Sequence, residues 1–301
     1  MTKTYVGTAG WSYEDWEGVV YPAVKGRGFH PLVFLAAYID IVEVNSTFYR
    51  PPSAVLSLSW VKKLAPFPDF LLAVKLHRVF SHERGEYGAK DVDDFKRGIE
   101  PLVAARRLAA LLLQFPWSFR RTPANDAYLA GVLAAFGDYP LAVEVRHASW
   151  DAPDFYDLLR ERGAAACNID QPLFADSIAP GAVATTPAFA YVRFHGRNAK
   201  DWFRKEAGRD DRYNYLYARD ELQDWIERIK ALGRKSGRVF VITNNHYRGQ
   251  AMANALQIKN MISGDKLDIP ALLLETYPVL KEIVKKIKDG TFDLFDDEPR
   301  S

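Results

Sequence analysis

The sequence predicts an α/β chain folded as a TIM-like (β/α)8 barrel, with a degenerate sixth helix and a C-terminal extension. Eight short apolar runs recur along its 301 residues, at Tyr5–Thr8, Ile41–Asn45, Phe70–His77, Leu108–Phe115, Leu141–His147, Ala164–Asp170, Phe189–His195 and Arg238–Asn244. Helix-like stretches separate most of them, and strands alternating with helices are the arithmetic of a parallel barrel. A doubly wound sheet alternates in the same way, but its phosphate loop shows GxGxxG after the first strand. Here that position reads Gly7-Thr-Ala-Gly-Trp-Ser-Tyr13.

Taken in order, the helices carry their own signals. Pro31 opens a Leu/Val/Phe/Ala run at a position where proline suits a first helical turn. Ser53 is an N-cap candidate after two prolines, and Thr122-Pro123 repeats that logic ahead of Tyr128, Leu129, Val132 and Leu133. Between Asp220 and Leu232 a single helical face carries Leu222, Trp225, Ile226, Ile229 and Leu232, with Gly233 as the stop. The crossover from Gln171 to Pro187 holds three prolines and little helical period, so the sixth helix is expected to be missing or degenerate. Residues 278–288 read as an extra amphipathic helix followed by an acidic tail. The expected division is a barrel domain at 1–263 and an extension at 264–301 packed on or near it.

Composition narrows the class. Lys+Arg 40 against Asp+Glu 38 gives a net charge of +2, which removes the case for a wholesale polyanion binder. The lone Cys167 cannot form an intrachain disulfide and suits a reducing, cytoplasmic setting. No apolar run approaches the roughly 20 residues that span a bilayer, and the N-terminus lacks a signal-peptide core, so no membrane partner is expected.

Strand alternation maps the lumen. In Val42-Glu43-Val44-Asn45 the valines face the helices, which turns Glu43 and Asn45 inward. The same parity places Lys75 and His77, Glu144 and Arg146, Asn168 and Asp170, and Arg193 and His195 inside their strands. All sit near C-terminal strand ends, where barrel active sites are built. Ordinary lumens prefer Val, Ile and Leu. Two readings stay open: a buried ion-pair network of architectural value, or charges that organise a pocket.

Histidines and aromatics point to the same rim. His77, His147 and His195 end strands and His246 follows the eighth, so acid–base chemistry and metal ligation are both open. With Glu43, Glu144 and Asp170 the ligands for a divalent metal exist, although no HxH or HExxH spacing requires one, and no metal ligand set is assigned. Trp11, Trp16, Trp117, Trp150 and Trp202 fall in segments after strands, suited either to stacking on rings or to packing the loops. From Arg193 to Arg219 eight Lys/Arg stand against four Asp/Glu, interleaved with aromatics, as in an anion-binding lid or a solvated loop.

Together these motifs resemble the YecE-like family, domain of unknown function 72. The carrying segments are Gly7–Tyr13 with Trp16, Gly18, Tyr21 and Pro22; Val42–Arg50; Ala73–His77; Leu113–Pro116; Val143–His147 with Ser149 and Trp150; Asp170; Tyr191–Arg197; and Thr243–Ala251 with Asn254 and Ala255. They run in order over roughly residues 4–263. The resemblance implies a TIM-like barrel and supplies no reaction. The extension lies outside the shared pattern, and its Thr291–Phe295 is a candidate docking segment.

The function expected from these residues is that of an acid–base enzyme, hydrolase or lyase type, acting at the C-terminal mouth on a polar or anionic substrate such as a sugar phosphate or nucleotide. Glu43 and Glu144 are the candidate carboxylates, with His77 and His195 for proton transfer. Lys75, Arg146, Arg193 and Arg197 are candidates for holding negative charge. Asn45, Asp170, Asn244, Asn245, His246, Trp11 and Trp150 complete the substrate-binding set. The rival readings are a nucleic-acid binder using loop 197–217, and a non-catalytic small-molecule sensor.

Overall fold

The computed structural model describes residues 2–85, 87–204, 206 and 208–288. Each apolar run becomes a parallel strand: β1 (Lys3–Ala9), β2 (Ile41–Val44), β3 (Leu71–Lys75), β4 (Leu108–Gln114), β5 (Leu141–Glu144), β6 (Ala165–Asp170), β7 (Ala190–Phe194) and β8 (Arg238–Thr243). They close as a barrel in sequence order, with Lys3–Thr8 of β1 pairing Arg238–Thr243 of β8. Closure leaves no sheet edge for a foreign strand. At the β1–β2 seam only glycine fits position 7, because a Cβ there would lie 1.7 Å from the Ile41 carbonyl oxygen.

The helices follow as α1 (Pro31–Ala36), α2 (Ala54–Lys63), α3 (Ala89–Ala104), α4 (Pro123–Ala135), α5 (Pro153–Glu161), the short α6 (Ala199–Trp202) and α7 (Arg209–Arg212), α8 (Arg219–Gly233) and α9 (Gln250–Ser263). The caps read from the sequence form: Ser53 Oγ accepts from Leu56 N, and Thr122 Oγ1 from Asn125 N, each at 3.2 Å. All five apolar residues expected on one face of α8 are buried. Between β6 and β7 the proline-rich crossover has no helix. Side chains hold its backbone instead: Asn168 Oδ1 accepts from Val183 N at 2.7 Å, and Thr185 bridges Ala166 N and the Ala164 carbonyl.

Two apolar layers result. The larger lies between strands and helices. The other fills the lower lumen, where Tyr5, Phe189, Tyr191 and Phe240 from β1, β7 and β8 occupy the room left by Ala73, Ala110, Ala142 and Ala165 on β3–β6. Large opposite small is how a barrel interior closes without a pore.

The C-terminal extension differs from expectation. Residues 278–288 form a 3-10 turn (Pro278–Glu282) and a strand, not an amphipathic helix. After α9 come β9 (Leu267–Pro270), α10 (Ala271–Thr276) and β10 (Val284–Lys288), and β10 pairs in parallel with β9. A free strand edge offers backbone partners that a short isolated helix lacks. The acidic tail and Thr291–Phe295 lie outside the described residues.

Candidate functional site

Charge inside the barrel is arranged in two layers. In the lower one Arg193, on β7, is the hub. Its Nη2 donates to Glu43 Oε1 at 2.7 Å and its Nη1 to Glu144 Oε2. Glu43 Oε2 accepts from the Tyr191 hydroxyl at 2.9 Å. Glu144 Oε1 accepts from Arg146 Nε at 2.9 Å and lies 3.1 Å from His195 Nε2. Asn244 Nδ2 sits 3.0 Å from His195 Nδ1, which assigns the imidazole proton to Nε2, facing the carboxylate.

Glu43, Glu144 and His195 are each 0% exposed. Burial opposes ionisation of Glu144, yet Arg193, His195 and Arg146 overcome it and hold the carboxyl well below its ordinary value. Arg193 moves the other way, held well above its usual range because Glu144 and Glu43 outweigh desolvation. Burial brings the His195 imidazole down to about 3 against the pull of Glu144. These groups form a matched set with little freedom to exchange protons near neutrality.

Above them lies a cavity of about 640 Å³. Its walls come from the C-terminal ends of β3, β4 and β7, from the segments after β1, β2 and β8, and from the lid after β7. Of the residues expected from sequence, Trp11, Asn45, Lys75, Arg193, Asn244 and His246 line it. Lys75 Nζ donates to Gln114 Oε1 at 2.6 Å and lies 4.1 Å from the centre of the Phe48 ring. Among the described residues no carboxylate oxygen comes within 4.0 Å of this nitrogen. Burial first and the Arg193 guanidinium second, partly offset by Glu43 and Glu144, bring the Lys75 ammonium down to about 7. His246 is buried and stacks on Tyr13, with ring centres 4.5 Å apart, and the Tyr213 ring packs against it at 5.1 Å.

Among the described residues, Arg193 Nε, Arg212 Nε and Asn45 Oδ1 are buried polar atoms without a hydrogen-bond partner. Such atoms are scarce in folded proteins because each forgoes about 1–3 kcal/mol of solvation. The three residues that carry them line one cavity with Lys75.

Several expected residues sit elsewhere. Glu43, Glu144, His195 and Arg146 are buried and do not line the cavity, and Arg146 and His195 lie against Trp202 of the lid. His77 caps the 3-10 turn after β3, with Nδ1 accepting from Val79 N. Trp150 is fully buried between Phe119 and Phe155 and donates to the Phe119 carbonyl, so it packs a loop and cannot stack on substrate from there. Asn245 is buried and ties the Tyr215 carbonyl to Asn254.

β6 has the opposite parity to that expected. Cys167 joins the lumen, 4.0 Å from Glu144, so Asn168 and Asp170 face the outer layer. Asp170 accepts from Trp225 Nε1 of α8 and from the Tyr217 hydroxyl, each at 2.6 Å. It also fixes Arg197, whose remaining amine reaches Glu221, so that guanidinium is already neutralised. Among the described residues no three His, Cys, Asp or Glu side chains gather as a metal would require.

Gln114, Arg212, Tyr13, Phe48 and Tyr213 line the cavity without having been singled out. Gln114 was open to discovery, since it shares a strand face with Ala110 and Leu112 of the lumen. Arg212 carried no separate signal among the eight basic residues of its loop.

A family model described as "Protein of unknown function DUF72" matches residues 5–275. UPF0759 protein YunF of Bacillus subtilis (strain 168) is 32% identical over 271 residues, 86% of this chain and 94% of that protein. The crystal structure of a DUF72 family protein from Thermotoga maritima MSB8 superposes with a TM-score of 0.76 at 39% identity, covering 86% of this chain and 99% of that one. One from Enterococcus faecalis V583 gives 0.75 at 26%, covering 86% and 95%.

Proposed function

The chain belongs to the DUF72 family, described as proteins of unknown function, and from its own site we propose a lyase-type acid–base enzyme acting on a small anionic substrate in the barrel mouth. The supporting observation is the company Lys75 keeps: an amine near neutrality that donates to the neutral Gln114 amide, with no carboxylate ion pair among the described residues, in a cavity also lined by Arg193 and Arg212. An amine balanced at about 7 takes and returns protons at physiological pH. The arginine donors suit a carboxylate or phosphate group. Asn45, Gln114 and Asn244 orient the polar remainder.

Hydrolysis by a carboxylate pair is less well supported, because Glu43 and Glu144 are shielded and already ion-paired. Their role is to position Arg193. The nucleic-acid reading needs exposed rings and available cations along 197–217. Trp202 and Tyr217 are buried and Arg197 and Arg204 pair with carboxylates, which leaves Phe203 as the large exposed ring there among the described residues. Among the described residues no helix is long and apolar enough to cross a membrane, and the single cysteine suits a cytoplasmic setting.

The test is turnover across a panel of small phosphorylated and carboxylated polyols. Lys75→Gln should remove turnover, and Arg212→Gln should chiefly raise KM. Full activity in Lys75→Gln would overturn the assignment.

A further inference from the structure

We propose that Lys75 is a nucleophile that condenses with the carbonyl of an aldehyde or ketone bearing an anionic group, holding it as an iminium on Nζ. The proposal rests on the mouth being a site for a small anionic substrate and names the class of that substrate.

The geometry around Nζ favours this over simple charge pairing. Its hydrogen-bond partner among the described residues is a neutral amide oxygen, Gln114 Oε1 at 2.6 Å. An amine donating one N–H there keeps its lone pair for a reactant. The charged groups acting on it are Arg193 of β7, Glu144 of β5, Arg146 just after β5, and Glu43 of β2. Both carboxylates already accept from Arg193, so they offset only part of what burial and Arg193 take from the ammonium. The Phe48 ring, 4.1 Å from Nζ, presents a face that favours the positive iminium once formed. The Arg193 and Arg212 side chains line the same cavity and bring positive charge suited to the substrate's anionic group.

The chemistry closes without an added redox partner. The Nζ lone pair forms a bond to the carbonyl carbon while the C=O π electrons move to oxygen. One Nζ hydrogen transfers to that oxygen, giving a carbinolamine. The second leaves with the hydroxyl as water, and the C=N bond forms. A proton from solvent then completes the iminium, whose positive nitrogen draws electrons from the neighbouring carbon–carbon or carbon–hydrogen bond. A lysine balanced at about 7 is unprotonated in a large share of molecules at neutral pH, and that share starts this sequence without first losing a proton.

The experiment treats the full chain at neutral pH with glyoxylate and sodium cyanoborohydride, which reduces an imine to a stable carboxymethyl amine. Peptide mass mapping then compares Lys75 with exposed lysines such as Lys62 and Lys281. Lys75 should be modified at least about tenfold faster, because a far larger fraction of it is unprotonated. Inorganic phosphate should slow that modification and leave the exposed lysines unaffected. Modification of Lys75 no faster than of the exposed residues would overturn the proposal. If Lys75→Gln nonetheless abolishes turnover, the acid–base reading of the mouth stands and the iminium alone falls. If Lys75→Gln retains full turnover, both fall.

Discussion

The two charged layers of the barrel are adjacent yet differ in kind. Below, Glu43, Glu144, Arg193 and His195 are almost wholly buried, and their carboxylates and imidazole are fully paired. Above, Lys75, Arg212 and Asn45 line open volume; among the described residues Arg212 Nε and Asn45 Oδ1 have no hydrogen-bond partner, and Lys75 Nζ donates to a neutral amide. Arg193 belongs to both, with its two amines bound below while the residue also lines the cavity. The lower layer is a scaffold whose desolvation offsets much of its attraction, and it fixes one guanidinium in place. On the proposed reading, the upper layer keeps its interactions for a ligand. Buried charge in a barrel is therefore no guide to catalysis until its partners are identified.

Substitutions should separate the layers, with the largest effect on turnover expected at the mouth. Lys75→Gln should lower kcat by about 10²–10⁴, the range of a lost proton-transfer group, while the protein stays folded. Equal loss of folding and activity would erase the distinction between layers. Below, Glu144→Gln should cost about 3–5 kcal/mol in urea denaturation, because it leaves Arg193 and Arg146 buried with too little negative charge. A change under about 1 kcal/mol would mean the network is not the scaffold.

The pH dependence of stability carries a sign for each layer. His195 is held neutral, with a folded value of about 3 against 6.5 unfolded. The unfolded chain therefore takes up a proton first, and stability falls as pH drops from 6.5 toward 3. Glu144, also depressed, adds to the loss below 4.5. Lys75 is depressed from 10.5 to about 7, so the unfolded chain binds more protons between those values and stability rises with pH across them. Lys75→Met should be most stabilising below pH 7 and lose that advantage toward 10.5, as read from urea midpoints. The smallest effect belongs to the lid: Arg212→Gln should weaken anion binding about tenfold by calorimetry and shift stability by less than about 0.5 kcal/mol.

The barrel was legible because each strand is an apolar run bounded by helix caps such as Ser53 and Thr122. The lumen was legible wherever polar residues alternate with valine, as at Glu43 and Asn45. That rule failed in β6, where polarity marks the outward face, since Asp170 satisfies Trp225 and Tyr217. Alternation also cannot separate floor from mouth, so Glu144 and Lys75 looked equivalent before their partners were known. Trp150 read as a ring for stacking because its position after a strand carries no information on burial. Arg212 was hidden because loop geometry, not spacing, decides which basic residue turns inward. Residues 278–288 misled because alternating apolar and charged residues over so short a stretch fit either period.

The most direct measurement is the titration of the Lys75 side chain, followed by NMR of its Cε in the full chain and assigned by its loss in Lys75→Gln. A midpoint near 7 is predicted, set by burial and by Arg193 below it. A midpoint at the ordinary lysine value of 10.5 would show a solvated, conventional cation and would contradict the assignment of the mouth as the chemical site.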